Sequence, residues 1–229
     1  MSTQQPQARP ARVMFITGTN TDVGKTYAVA ALAQGLIQAG ERVAIIKPLQ
    51  TGEPSGAGDV YTVEKLLGKP VPHFEFARYP EPLAPNLSAR RAGMKQADLG
   101  EVAAWINKIV TSGEYTYVLV EGAGGLLVRL ADQWTLADLA VELKAPLVVV
   151  TSVGLGSLNL AELTVEAATR RGIEVAGVIG GSMPADPDLA TRLNIEEFPV
   201  VTGVPYLGSI PEGADLSHAA PFPVDALVQ

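Results

Sequence analysis

Short apolar runs along this chain alternate with stretches whose hydrophobic positions recur every three to four residues. The run Val13 to Thr17 leads into a glycine-containing turn and then Tyr27 to Ala39, rich in Ala and Leu, which predicts strand, loop and helix. Gly40 closes that helix, and the β-branched run Val43 to Ile46 predicts a second strand ending at Lys47-Pro48. Two strands flanking a helix can pair in parallel, by a connection that is nearly always right-handed. Further strands are predicted at Tyr117 to Val120, Leu147 to Thr151 and Val175 to Ile179, all short and apolar enough to be buried on both faces. Helical spacing covers Val60 to Leu67, Ala97 to Thr111, Leu136 to Leu143 and Ser157 to Arg170. The alternation predicts an α/β fold with one mostly parallel central sheet and helices on both faces.

Lys69 to Ala92 breaks the rhythm with five prolines, and reads as an irregular excursion lining a site or interface, since it also carries Phe74, Phe76, Tyr79 and Leu83. The start of the chain is polar and lacks the apolar centre of a secretion signal; residues 1–11 read as a disordered leader and 12–229 as a single domain. No run approaches the roughly 18 apolar residues of a membrane helix, so the expected location is the cytoplasm, without membrane contact.

Composition then narrows the chemistry. With 47% hydrophobic and 18% charged residues among 229, general disorder is excluded. A net charge of −7 argues against a broad cationic face for nucleic acid, though not against a local anion pocket. The absence of cysteine removes disulfides, thiolate metal sites and a cysteine nucleophile. His73 and His218, far apart and among Pro and Ala, read as surface or packing residues.

Three segments carry candidate chemistry. Gly18-Thr19-Asn20-Thr21-Asp22-Val23-Gly24-Lys25-Thr26 lies between the first strand and the first helix. A phosphate needs convergent backbone N–H groups and positive potential, which a loop wrapped over a helix N-terminus provides. Gly24 permits close approach, Lys25 can reach terminal phosphates and the Thr26 hydroxyl can ligate Mg²⁺. The standard first glycine falls on Thr19, so the loop is a variant, and the fold expected is like that of the P-loop NTPases. Lys47-Pro48-Leu49-Gln50-Thr51-Gly52 follows the second strand; ligands of open parallel sheets bind beyond the strands' carboxyl ends, so Lys25 and Lys47 should converge on one crevice. Val120-Glu121-Gly122-Ala123-Gly124-Gly125 ends another strand, where an acid can hold Mg²⁺ and glycines admit a ligand. Asp59, after Gly56-Ala57-Gly58, is a second carboxylate ligand or, taken alone, an ordinary helix N-cap.

Together these segments resemble the dethiobiotin synthetase family, from Val13 to about Pro211. Gly154-Leu155-Gly156-Ser157-Leu158-Asn159 is similar to the family segment that reaches the neighbouring subunit's substrate, and Leu207-Gly208-Ser209-Ile210-Pro211 to one near the nucleotide base. The resemblance implies a homodimer with the substrate site near the subunit interface. It implies ATP-dependent carboxylation of 7,8-diaminopelargonic acid by CO₂ or bicarbonate, closing the ring of dethiobiotin and releasing ADP and phosphate, in biotin biosynthesis. In that reading Lys25 and Lys47 are catalytic, and Thr26, Asp59 and Glu121 position Mg²⁺. The nucleoside triphosphate would lie along Asp22 to Tyr27 and Glu121 to Gly124, and against Gly181, Ser182, Pro211, Glu212 and Gly213. Substrate would meet Thr21, Lys47, Thr51 and Gly156 to Asn159.

One stretch departs from the family. Where members commonly place an asparagine after the strand to read adenine, Gly180-Gly181-Ser182 stands here, so base discrimination is expected to be weak or backbone-mediated. Two other readings stay open. One is an amide ligase of the cobyrinic acid synthetase type, whose attached glutaminase would need a cysteine that this chain lacks. The other is a switch or partitioning ATPase acting through a partner, against which Asn20 occupies the position of the signature lysine.

Overall fold

A computed structural model describes residues 9–228. The expected leader lies outside the described residues as far as residue 8; Ala11 is already buried and donates its N–H to Val110. In chain order the elements are β1 (Arg12–Gly18), α1 (Lys25–Gln38), β2 (Val43–Thr51), α2 (Asp59–Leu67), β3 (His73–Tyr79), α3 (Pro85–Arg91), α4 (Leu99–Val110) and β4 (Tyr117–Gly125). Then come β5 (Arg129–Ala131), β6 (Trp134–Thr135), α5 (Leu136–Leu143), β7 (Leu147–Thr151), α6 (Ser157–Thr169), β8 (Val175–Met183), α7 (Leu189–Thr202), β9 (Tyr206–Pro211) and α8 (Asp225–Val228).

Seven strands form one sheet in the order β3-β2-β4-β1-β7-β8-β9, every pairing parallel; β5 and β6 form a small antiparallel hairpin. Successive strand side chains point to opposite faces. Phe15, Ile46, Val118 and Val120 therefore join the layer of α4 and α5, while Ile16, Ile45, Leu119 and Val148 join that of α1 and α2. Both layers are apolar, which is why these strands read as continuous hydrophobic runs.

Several strands run past their predicted ends. β2 continues through Lys47 and Pro48 to Thr51 because pairing with β4 stops at Ile46, while pairing with β3 carries on to Thr51 and Tyr79. Pro48 lacks an N–H exactly where one neighbour has ended, so no ladder bond is lost there. β8 likewise extends through Gly180, Gly181 and Ser182 to Met183, paired with β9. The proline-rich stretch is not irregular: it holds β3, an edge strand of half-buried residues, and α3. Its prolines flank those elements instead of interrupting them, with Pro85 at the helix start, where a missing N–H costs nothing.

Candidate functional site

The carboxyl ends of β1, β2 and β4 open onto a cavity of about 640 Å³. The loop after β1 is held from below: Thr19 donates its N–H to Val150 at 2.8 Å and its hydroxyl to Thr151 at 3.2 Å. Asp22 and Gly24 take positive φ, 57° and 89°, and Gly24 caps α1 in the left-handed conformation. Gly24 is obligatory on two counts, since a Cβ there would also sit 2.2 Å from the Gly181 carbonyl oxygen. The reciprocal contact is tighter, a Cβ on Gly181 falling 1.8 Å from the Val23 oxygen. Gly181 is therefore the floor under the loop.

Lys25, Lys47 and Glu121 are buried, with 8%, 3% and 1% of their surface exposed. Lys47 Nζ donates to Gly122 O at 2.8 Å and to Glu121 Oε1 at 3.2 Å, and forms an ion pair with Asp59. Lys25 Nζ donates to Asn20 O at 3.1 Å. The Thr26 hydroxyl lies 3.0 Å from Glu121 Oε1 and 3.4 Å from Asp59 Oδ1. The one hydroxyl proton cannot serve both carboxylates, and Lys47 is their other donor, so three hard oxygens share one spot with a single ammonium. Glu121 Oε2 is buried with no hydrogen-bond partner, an arrangement that is costly until something electropositive faces it. Two carboxylates and a hydroxyl suit a small divalent cation that completes its shell with water and phosphate. Among the described residues no larger cluster of His, Asp and Glu competes for one.

Burial and charge set the protonation states. Burial, then the neighbouring Lys47, lowers the Lys25 ammonium from its ordinary value. Burial would lower Lys47 too, but Glu121 and Asp59 outweigh it and hold that ammonium higher than usual. Burial disfavours charge on Asp59, yet Lys47 prevails and keeps its carboxyl below the usual range. At Glu121 burial exceeds the pull of Lys47, and the carboxyl is raised. Such a cluster adds little net stability, because desolvation consumes most of the Coulomb gain; it is what a phosphate-handling site requires.

Thr21, Asp22, Tyr27, Thr51, Ala123 and Gly124 line the same cavity. Val23 lies buried beneath the loop, and Gly122 contributes its carbonyl to Lys47. Asp59 is the first residue of α2 and not its N-cap, which is Gly58. The structure does not bring Gly156, Ser157, Leu158 or Asn159 to this cavity: they open α6, beside β7, and the Ser157 hydroxyl is spent on Gly154 O at 2.7 Å. Pro211, Glu212 and Gly213 are exposed at the end of β9, with the Glu212 N–H donated to Met183 O, and Ser182 is exposed nearby. Sequence reasoning missed Gln50, whose Oε1 accepts the Asp59 N–H at 3.0 Å, and Asn194, whose amide reaches Val153 O, Gly154 O and Ser157 Oγ. Gln50 was visible as part of a motif; Asn194 had no signal beyond being polar in a helix. The wall formed by Pro82 to Pro85 was anticipated in kind, as a proline-rich segment at a site.

A family model described as an AAA domain matches residues 12–220. The ATP-dependent dethiobiotin synthetase of Corynebacterium diphtheriae is 60% identical over 88% of this chain and 89% of its own length. The enzyme of the same name from Saccharopolyspora erythraea is 53% identical over 91% of both chains, and that of Rhodococcus erythropolis 50% identical over 92% of both. Among solved structures, the cell division protein MinD of Aquifex aeolicus superposes with a TM-score of 0.57 at 17% identity, covering 95% of this chain and 90% of that one. MinD of Pyrococcus horikoshii, complexed with Mg-ADP, gives 0.53 at 19% identity over 88% and 82%. Likeness at that identity is a likeness of fold.

Proposed function

Because the chain belongs to the family of ATP-dependent dethiobiotin synthetases, we propose that it joins 7,8-diaminopelargonic acid and CO₂ at the expense of ATP to give dethiobiotin, ADP and phosphate. The observation that carries this reading is the meeting of Lys25 and Lys47 with Thr26, Asp59 and Glu121 at the carboxyl ends of β1, β2 and β4. A carbamate is a weak anionic nucleophile, and its target, the γ-phosphate, is also anionic. Bringing them together takes fixed cations in a site poor in water. Lys25, at the base of the loop, would hold the β- and γ-phosphates. Lys47, whose ammonium is kept charged, would face the carbamate and the transferring phosphoryl group. Thr26, Asp59 and Glu121 would hold Mg²⁺, which when bound supplies charge neutralisation across the phosphate oxygens. Thr21 and Thr51, which line the same cavity, would bond the carbamate or diamine.

Atoms balance without a covalent enzyme intermediate. One amine adds to the carbon of CO₂ and loses a proton to give the carbamate; a carbamate oxygen then attacks the γ-phosphorus and ADP leaves; the second amine attacks the carbonyl carbon, gives up its proton and expels phosphate. That route needs no cysteine and no histidine, in keeping with a cysteine-free chain. Gly156 to Asn159 lie away from the cavity of their own chain, and the nearby groove lined by Leu127, Leu160 and Leu163 is apolar and partly exposed. Both features suit a homodimer in which each copy lends that segment to the other's substrate, acting in the cytoplasm. Among the described residues no helix is long and apolar enough to cross a membrane.

The deciding experiment is mass detection of dethiobiotin from the diamine, bicarbonate and Mg-ATP. Product should form with the unsubstituted chain and fall at least a hundredfold with Lys47→Ala, about 2.7 kcal/mol of transition-state stabilisation. Absence of product under saturating conditions overturns the reading; ATP hydrolysis stimulated by DNA, lipid or a protein partner would replace it with a switch. In the same assay CTP and GTP should support turnover within about tenfold of ATP, since no side chain of Gly180 or Gly181 can read a base.

A further inference from the structure

Asp59 reaches the cavity from the end of a loop that has little to hold it. Residues 52–58 include Gly52, Gly56 and Gly58 at positive φ, 76°, 82° and 118°, and glycines leave a chain free to wander. Yet three carbonyls of this loop converge on one side chain outside the cavity. Arg78 Nη1 donates to Pro54 O at 2.7 Å and Glu53 O at 3.3 Å, and Nη2 donates to Ala57 O at 2.7 Å. The remaining donors go to Glu75, Nε to Oε2 at 2.6 Å and Nη2 to Oε1 at 2.7 Å. All five N–H groups of the guanidinium are thereby used, two on a carboxylate that fixes the fork and three on the loop. The guanidinium also lies 5.8 Å from the centre of the Tyr61 ring on α2, the helix that Asp59 opens. In the β2–β3 register Arg78 sits opposite Gln50, and Gln50 receives the Asp59 N–H.

We propose that Arg78, held by Glu75, is a positioning residue: it clamps the loop 52–58 so that the Asp59 carboxylate stays beside Thr26 and Lys47, and thereby sets the affinity of the site for its divalent cation. This rests on the metal-ion role given to Asp59 above. Lysine would keep the charge and lose the fork, so Arg78→Lys should be intermediate between the native chain and Arg78→Ala.

The test measures Mn²⁺ binding in the presence of ADP by electron paramagnetic resonance, alongside the Mg²⁺ concentration giving half-maximal turnover. The Mn²⁺ dissociation midpoint and the half-maximal Mg²⁺ concentration should both rise about tenfold in Arg78→Ala, less in Arg78→Lys and in Glu75→Gln, while KM for ATP at saturating Mg²⁺ changes less than threefold. Simple loss of folded protein would lower the amplitude of both measurements and leave their midpoints unmoved. Midpoints within twofold of the native chain in Arg78→Lys and Glu75→Gln overturn the clamp. A native chain that binds Mn²⁺ tightly but forms no dethiobiotin would overturn the proposed reaction, and the Mn²⁺ midpoints would still decide the role of Arg78.

Discussion

Gly181 shows how one residue can serve a site without touching a ligand. It lies within β8, buried, and its Cα faces the underside of the phosphate loop. A methyl group added there would stand 1.8 Å from the Val23 oxygen and 2.7 Å from Val150, neither of which can yield without moving the loop or the sheet. Gly181→Ala should therefore lift the loop N–H groups off their target. We expect ATP-dependent turnover to fall by about two orders of magnitude, the scale on which a misplacement of about 1 Å acts. The unfolding free energy should drop by no more than is typical of a core overpacking, about 1–3 kcal/mol. Unchanged turnover in a folded Gly181→Ala chain would show that the loop is not held from below. In the sequence Gly180-Gly181-Ser182 stands where a base-reading asparagine is common, and the structure adds a packing reason for Gly181.

Among the elements, α7 explains best what a sequence can hide. Its buried positions are Thr191, Asn194 and Phe198, while Leu189, Leu193 and Val200 face outward. The hydrophobic period thus points away from the core, and Pro199 stands inside the helix, so no rule of pattern would have found it. The inner polar face exists because Asn194 must reach the loop at Val153 and Gly154. By contrast α1, β1, β2 and β4 were legible because one and the same feature, burial on both faces of a parallel sheet, writes apolar runs around the motifs. Lys47 and Glu121 were legible for that reason: each stands at the end of such a run. Asp59, Gln50 and Arg78 meet through a loop, and loop geometry leaves no period in the chain. What starts α7 is Asp188, whose carboxylate accepts the Thr191 N–H at 2.8 Å. That bond holds its carboxyl below the ordinary 3.8. The folded value being the lower one, the cap's contribution is complete above the unfolded value and fades as pH falls through the folded one. Hydrogen exchange in the first turn of α7 should accelerate as pH drops below about 3.8, beyond the intrinsic pH dependence, and this extra loss should vanish in Asp188→Asn, which caps without ionising. The same acid response in Asp188→Asn would assign the effect elsewhere.

Over the whole molecule, the net charge of −7 says nothing of the cavity, where Lys25 and Lys47 meet Asp59 and Glu121, and where Asp22 and Glu53 also line the wall. The rest of the molecule supplies stability to the fold that carries that cavity, and one part of it comes from beyond the last strand of the sheet. After β9 the chain returns as a strap across α1: Gln34 Nε2 donates to Leu216 O and, at 3.2 Å, to Ala219 O, and Leu216, Phe222 and Val224 are buried against the helix. Gly35 makes room for the crossing, since a Cβ there would fall 2.4 Å from Phe222 O. The strap grips α1 around Gln34 and Gly35, roughly nine residues and about 14 Å along the helix from Lys25. A defect there should cost stability without disturbing the phosphate loop. Phe222→Ala removes a buried aromatic and should lower unfolding free energy by about 3 kcal/mol, a fall of roughly 6–12 °C in Tm for a chain of this size. At 25 °C KM for ATP should stay within a factor of two, because sites this far apart with no shared partners behave additively. Calorimetry and steady-state kinetics on the same preparation separate the outcomes: weakened ATP use with unchanged Tm would mean that the strap acts on the loop through α1, as a lever and not as a brace.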